Sequence, residues 1–121
     1  MVDVDTVAKK IAEFMSQMPE VEVLIATDEN GNLIAGKAVT QRDNAGIAKS
    51  AINAINAFKE FLHKLTAEED SPRIISSESD KVISVLIKGN GIYLIAAISP
   101  EVRATLGLIK QNLRILINSL K

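Results

Sequence analysis

Residues 81–98 read KVISVLIKGNGIYLIAAI, two apolar segments joined by a Gly-Asn-Gly turn. Glycine and asparagine favour tight hairpin turns because they adopt positive φ readily. Lys81 to Ile87 and Ile92 to Ile98 are therefore predicted as neighbouring antiparallel strands. Both are apolar at successive positions, and such strands are covered on both faces of a sheet. The stretch thus predicts a three-layer domain with helices on both sides of a sheet.

Three further strands are predicted upstream. Val21 to Thr27 and Leu33 to Val39 flank the turn sequence Asp28-Glu29-Asn30-Gly31-Asn32, which predicts a first hairpin. Arg73 to Ser79 contains three serines and Glu78, so it is the least apolar of the five segments. That composition is typical of an edge strand, which can accept a further strand.

Three helices complete the pattern. The first has an apolar stripe at helical spacing and ends before Pro19; the second runs from Gly46 to Leu65 with Asp43 or Asn44 as N-cap. The third is capped by Ser99, begins at Pro100 and continues to the end of the chain. The stripes of the first and third helices comprise Val4, Val7, Ile11, Phe14, Met15 and Met18, and Val102, Leu106, Ile109, Leu113, Leu116 and Leu120.

The predicted order is α-β-β-α-β-β-β-α, an α+β fold with three layers, α/β/α. A five-stranded antiparallel sheet carries the second helix on one face and the first and third helices on the other. The length, 121 residues and 13.1 kDa, predicts a single domain over residues 1–121.

Composition excludes several classes of function. Fourteen Lys and Arg against fifteen Asp and Glu give a net charge of -1, which argues against nucleic-acid binding. Without cysteine there is no disulfide, thiolate nucleophile or Cys-ligated metal. The N-terminus lacks the pattern of a signal peptide, and the longest apolar run, Ile92 to Ile98, is far shorter than the about 20 residues of a membrane helix. We expect a soluble, cytoplasmic protein without membrane insertion.

No catalytic, cofactor-binding or metal-ligating residues are predicted, so we expect a non-enzymatic protein. Gly31 to Ala38 matches the spacing G-x-x-x-x-G-K of a phosphate loop, but alanine replaces the hydroxyl residue and a strand is predicted there. His63, the single histidine, has only Glu60 three residues away as a local helix partner. Glu68, Glu69 and Asp70 lack the glycine and alternation of a calcium loop and are interpreted as a solvated loop.

The second helix has an unusually wide apolar surface. Its predicted core face comprises Ile47, Ile55, Phe58, Leu62 and Leu65. One flank is small, with Gly46, Ser50, Ala54 and Ala57, and would allow a close antiparallel crossing with a second copy; small helix-favouring residues also occur without such a role. The other flank comprises Ala48, Ile52 and Lys59. The sequence does not distinguish which flank meets a partner.

The third helix carries a basic stripe and two outlying apolar residues. The stripe comprises Arg103, Lys110, Arg114 and Lys121, which we interpret as solvated side chains beside the apolar face, not as a binding surface for an acidic protein. Leu108 and Ile115 lie away from the main apolar face. We expect them to pack on the first helix; the alternative is that they contact a partner.

Three features together resemble the roadblock/dynein light chain family. They are the element order, the stretch Val23-Leu24-Ile25-Ala26-Thr27-Asp28 leading to Gly31, and the run ATLGLIKQNLR at residues 104–114. The resemblance covers nearly the whole chain. It implies a homodimer or heterodimer in which the second helices meet antiparallel and the third strands pair edge to edge. It also implies a role as partner, scaffold or regulator of small Ras-like GTPases, with no shared catalytic or metal-ligating residues.

Carried onto this sequence, the resemblance predicts two surfaces. The predicted dimer interface, with the same chain or a paralogous roadblock protein, comprises Gly46, Ser50, Asn53, Ala54, Ala57, Arg73, Ile75 and Ser77. The predicted GTPase-binding residues are Lys49, Asn56, Lys59, Glu60 and His63. The alternative is a profilin-like or sensory α/β/α module that encloses a small ligand between the sheet and one helix.

Overall fold

A computed structural model describes residues 3–120, which form a five-stranded antiparallel sheet and three α-helices in the predicted order. The helices are α1 (Val4–Gln17), α2 (Asn44–Thr66) and α3 (Leu106–Ser119). The strands are β1 (Val21–Asp28), β2 (Leu33–Ala38), β3 (Ile74–Glu78), β4 (Ile83–Lys88) and β5 (Ile92–Ile98). The α+β fold predicted from the sequence is confirmed.

The strands lie in the order β2-β1-β5-β4-β3. The first hairpin joins the second through β1 and β5, which pair from Val21 with Ile98 to Asp28 with Ile92. The most apolar strands are therefore central, and β3 lies at an edge as its serines predict.

Side chains of the central strands alternate between two cores. In β4, Val85 and Ile87 join the core beneath α1 and α3, whereas Leu86 joins the core beneath α2. Because a strand points successive side chains to opposite faces, a run that is apolar at every position serves both layers. The predicted three-layer arrangement is confirmed.

Capping residues set where the first two helices begin. The Asp43 carboxylate accepts a hydrogen bond from the Gly46 N–H at 3.0 Å, so Asp43 and not Asn44 is the N-cap of α2. Asp3 caps α1 in the same way, accepting from the Asp5 N–H and the Thr6 hydroxyl. At the other end of α2, Ala67 adopts a left-handed conformation with φ of 58° and reverses the chain.

The β1–β2 turn is tied both to itself and to α2. The Asp28 carboxylate accepts hydrogen bonds from the Asn32 N–H, the Asn32 side-chain amide and the Asn30 N–H, which lower the pKa of Asp28 below its usual value. Lys49 of α2 donates to the Asn32 side-chain oxygen at 3.0 Å. Gly31 has φ of +83°, and a Cβ there would lie 2.8 Å from the Ile52 side chain.

The third helix differs from its prediction at the start. Ser99 accepts from the Glu101 N–H as predicted, but Pro100–Thr105 forms a 3-10 helix, and Val102 leaves helical geometry at φ -104°, ψ 26°. The Thr105 hydroxyl donates to the Val102 carbonyl at 3.0 Å. The Leu106 N–H still bonds to the Arg103 carbonyl, three residues back as in a 3-10 helix, and α3 begins at Leu106.

The expected packing of Leu108 and Ile115 on the first helix is wrong. Both side chains are more than half exposed. Because α1 packs on β1 and β2 while α3 packs on β4 and β5, the two helices cover different parts of the same sheet face. Lys10 of α1 still reaches the Ser119 carbonyl at 2.9 Å.

Candidate functional site

One candidate surface is the side of α2 that faces away from the sheet. The residues that pack on the sheet are Ala48, Ala51, Ile52 and Ile55. Of the predicted core face, Phe58 and Leu65 are instead exposed, by 41% and 65%. The predicted face is therefore wrong in part, because the small Ala48 and Ala51 and the contact of Ile52 with Gly31 turn the helix toward that side.

The rotation of α2 buries one flank and exposes the other. Ala48 is fully buried and Ile52 is 9% exposed, so the flank that contains them contacts the sheet, and only its Lys59 is exposed. The opposite flank is open to solvent. We call it the small-residue flank; it comprises the half-buried Gly46 and the exposed Ser50, Asn53, Ala54 and Ala57.

A shallow groove runs beside the small-residue flank. It has a volume of about 490 Å³ and is lined by Gly46, Ile47, Ser50 and Ala54 of α2 and by Leu86 of β4. The groove is open and largely apolar, which suits another protein surface better than an enclosed ligand.

The edge strand β3 is the neighbour of β4, whose Leu86 lines this groove. Within residues 3–120 it pairs only with β4, so its other edge carries unpaired backbone groups. Ile75 packs against the core beneath α2, and the Ser77 hydroxyl lies 2.6 Å from that of Ser84. Arg73 is exposed at the start of the strand. The structure thus brings the α2 and β3 parts of the predicted interface to one face of the molecule.

An exposed aromatic pair extends this face. The rings of Phe58 and Phe61 stack edge to face with centroids 6.2 Å apart. Both line a cleft of about 640 Å³ between α2 and β3. Sequence analysis did not single out Phe61, although its position three residues after Phe58 was a signal that the apolar surface continues around the helix.

The residues predicted to bind a GTPase are all exposed, but two of them have local partners. Lys49 is held by Asn32, as described above. The His63 Nδ1 lies 3.1 Å from the Glu68 carbonyl and 3.7 Å from the Glu69 carboxylate. These neighbours follow from the turn at Ala67, which folds residues 68 and 69 back onto the helix end. Asn56, Lys59 and Glu60 are exposed along the helix.

Other candidate motifs take the places that the sequence predicts for them. The G-x-x-x-x-G-K pattern occupies the hairpin turn and β2, with no helix after it to hold a phosphate. Glu68, Glu69 and Asp70 are exposed in the loop before β3. In the basic stripe, Arg103 forms an ion pair with Glu78 at 2.9 Å, and Lys121 lies outside the described residues.

Two kinds of feature are absent from the described part of the chain. Between residues 3 and 120, no group of three or more His, Asp or Glu side chains is arranged to hold a metal ion. No helix in that range is long and apolar enough to cross a membrane.

Comparison with known proteins identifies the fold. No family model and no curated protein matches the sequence. Among solved structures, Myxococcus xanthus MglB is similar with a TM-score of 0.81 at 19% identity, covering 96% of this chain and 85% of that one. An MglB described as having a tetrameric arrangement gives 0.78 at 15%, covering 97% and 86%. A roadblock/LC7 domain from Streptomyces avermitilis gives 0.76 at 14%, covering 93% and 92%.

Profilins are also similar, but less so. Profilin IA of Acanthamoeba castellanii gives a TM-score of 0.61 at 11% identity, covering 91% of this chain and 95% of that one. The same layers thus occur in both groups, and the higher scores belong to MglB and the roadblock domain. The chain therefore has the fold of the roadblock/LC7 family.

Proposed function

We propose that the protein is a cytoplasmic, non-enzymatic scaffold or regulator that acts as a dimer and binds a small Ras-like GTPase. Binding would modulate the nucleotide cycle or the localisation of that GTPase. The roadblock fold supports the proposal, because the family resemblance implies such a role. The observation that carries it is the open small-residue flank of α2 beside the unpaired edge of β3.

The proposed dimer pairs these two features with their counterparts in a second copy or a paralogous roadblock protein. Side chains without bulk let two helix axes approach closely, so α2 of each subunit can cross the other along Gly46, Ser50, Asn53, Ala54 and Ala57. Pairing of two β3 strands, with Arg73, Ile75 and Ser77 at the contact, would satisfy the backbone groups of the edge. The exposed Phe58 and Phe61 supply apolar area next to this contact.

The proposed GTPase surface is the neighbouring exposed side of α2, with Lys49, Asn56, Lys59, Glu60 and His63. Its mixed charges suit a polar, specific contact. In this proposal the dimer holds one conformation of the GTPase switch segments and donates no catalytic group. Regulation then requires that the two nucleotide states bind with different affinity.

Light scattering after size exclusion tests the dimer. We expect a mass near twice 13.1 kDa for the natural chain. Ser50→Arg and Ala57→Arg should each give a monomer, because a long cation cannot fit a close helix crossing. Ala8→Arg, at an exposed position of α1, is the matched control and should stay dimeric. A natural chain that is monomeric at micromolar concentration contradicts the proposal and favours the profilin-like alternative.

A pull-down with small GTPases tests the partner. Each GTPase is loaded with GDP or with a non-hydrolysable GTP analogue, and we expect one state to bind more strongly. Lys59→Glu should weaken binding while the dimer persists, which separates the two surfaces. Equal binding to both states would leave a scaffold but remove regulation, and no binding to any GTPase would contradict the proposed partner.

A further inference from the structure

The groove beside the small-residue flank and the exposed aromatic pair lie on one stripe of α2. At about 100° per residue, the stripe occupies an arc of about 80° and contains Ile47, Ser50, Ala54, Phe58 and Phe61. The first three residues line the groove. Phe58 and Phe61 are exposed by 41% and 53%. The stripe is therefore concave in the N-terminal half of the helix and convex in the C-terminal half.

The sheet beneath α2 connects the two halves of this stripe. Leu86 of β4 lines the groove, and Ile75 of β3 lines the cleft that contains the aromatic pair. Leu86 and Ile75 are direct cross-strand partners. The groove and the cleft are thus neighbours beside the edge strand, which is the edge that the proposed dimer uses. A second copy that pairs along β3 would face both of them.

An antiparallel pair of α2 helices would place the convex half of each helix against the concave half of the other. If the helices cross at Ala54, Phe58 of one copy lies level with Ser50 of the other, about 6 Å from the crossing point. Phe61 then lies level with Ile47. Ala54 faces its own counterpart, and its small side chain permits close approach. A parallel pair would instead set aromatic rings against aromatic rings and leave both grooves empty.

The charges at the two ends of α2 favour the same arrangement. Asp43 lies at the rim of the groove, at the N-terminal end of the helix. Lys64 is exposed in the last turn. Antiparallel alignment brings Asp43 of each copy to the end of the other helix that carries Lys64, so opposite charges lie at both ends of the contact. Charge and side-chain size therefore indicate the same occupant of the groove.

We propose that Phe58 and Phe61 of a second copy of this chain fill the groove, so that the dimer is formed by two identical chains and not with a paralogue. The contact rests on the proposed dimer and specifies its partner. Groove and aromatic pair belong to one chain, so a twofold axis fills both grooves at once. Aromatic side chains that enter a pocket on the partner contribute much of the binding energy at protein interfaces.

Two complementary variants test this contact. Ser50→Phe fills the groove from within, and Phe58→Ala removes one of its proposed occupants. Each should raise the dissociation constant of its own dimer at least about tenfold, because every dimer contains two altered contacts. Both positions are exposed in the single chain, so each subunit keeps its fold. Analytical ultracentrifugation measures the two constants and that of the natural chain.

Mixed together, the two variants should prefer each other. In the mixed dimer, the phenylalanine introduced at position 50 faces the alanine introduced at position 58, and the other groove receives a natural Phe58. Native mass spectrometry should show mixed dimers well above the half that random pairing gives. Ser50→Phe mixed with Leu108→Ala is the matched control, because Leu108 lies exposed on α3 and its substitution leaves Phe58 in place. That mixture should show no excess of mixed dimers.

Two results would overturn the proposed contact while the dimer stands. One is random pairing of Ser50→Phe with Phe58→Ala. The other is a Phe58→Ala dimer as tight as the natural one, in which case the aromatic pair contacts a different partner. A natural chain that is monomeric in light scattering would contradict the proposed dimer itself, and this contact with it.

Discussion

Glycine is required at position 31 for two reasons, the conformation of the β1–β2 turn and the close contact of that turn with α2. Its φ of +83° favours glycine, and its α-carbon faces Ile52 so closely that a Cβ would lie 2.8 Å away. Gly91 has a similar φ of +74° with nothing within 4 Å of a Cβ. Alanine at Gly91 would therefore add only backbone strain, whereas alanine at Gly31 would add backbone strain and a close contact with Ile52 of α2.

We expect Gly91→Ala to lower the free energy of unfolding by about 1–2 kcal/mol, the cost of a left-handed alanine. Gly31→Ala should cost about 1–3 kcal/mol more, because the added methyl group overpacks against Ile52. Urea denaturation of both variants measures the difference. Equal losses would mean that Ile52 moves aside freely and that Gly31 does not set the position of α2.

The Asp28 carboxylate gives a pH dependence with a definite sign. Hydrogen bonds from the Asn32 backbone and side chain, then from Asn30, lower its pKa in the folded protein. Its contribution to stability is thus complete above the unfolded-state pKa and is lost as pH falls through the folded-state value.

We expect Asn32→Ala to raise the pKa of Asp28 more than Lys49→Ala does, because the Asn32 amide lowers it more than the Lys49 charge. Titration of the Asp28 carboxyl carbon by nuclear magnetic resonance measures both shifts. A larger rise in Lys49→Ala would show that charge, not hydrogen bonding, controls this turn. In Asp28→Asn the free energy of unfolding should fall less at acid pH than in the natural chain, because the carboxyl that becomes protonated is absent.

Among the elements, α2 shows best what hydrophobic spacing can and cannot predict. Its existence, N-terminus and length were predictable from the Asp43 cap and the apolar repeat. Its rotation was not, because apolar residues occupy about half of its circumference and spacing does not distinguish a sheet contact from an open surface. The decisive contacts, of Ile52 with Gly31 and of Ala48 with the sheet, are between residues distant in sequence.

The rotation of α2 predicts that alanine substitution lowers the free energy of unfolding strongly at one large apolar residue and little at another. Ile55→Ala should lower the free energy of unfolding by about 2–5 kcal/mol, since Ile55 is 2% exposed in the core. Leu65→Ala should change it by no more than about 0.5 kcal/mol, because Leu65 is largely exposed. Urea denaturation at one low protein concentration compares them. Equal losses would mean that Leu65 packs in the core as Ile55 does, as the sequence predicted.

The start of the third helix was predicted incorrectly for a different reason. Ser99 and Pro100 are good signals for a helix start, and a helical segment does begin there. That segment is a 3-10 helix interrupted by the non-helical Val102, and the α-helix starts only at Leu106. The choice between these helix types involves single hydrogen bonds, whereas the buried stripe from Leu106 to Leu120 follows from hydrophobicity alone and was predicted correctly.

At the scale of the whole molecule, sequence patterns predicted layers better than sites. Strands that are apolar on both sides require two helical layers, so the architecture follows from local composition. Contacts between exposed side chains could not be found in this way, because pairs such as Lys49 with Asn32 and Arg103 with Glu78 join residues that are distant in sequence.

If the molecule is a dimer, its stability must depend on its own concentration. The unfolded state is monomeric, so each tenfold rise in protein concentration should add about 1.4 kcal/mol to the stability of the dimer. The urea midpoint of the natural chain and of Ala8→Arg should rise accordingly. That of Ser50→Arg should not change with concentration, because Ser50 lies on the exposed small-residue flank and arginine there prevents the crossing of two α2 helices. A midpoint of the natural chain that is independent of concentration, measured across the range where light scattering reports a dimer without urea, would show that the dimer dissociates at a urea concentration below the one that unfolds each subunit. In that case the folded subunit, and β3 with it, would be stable without a partner.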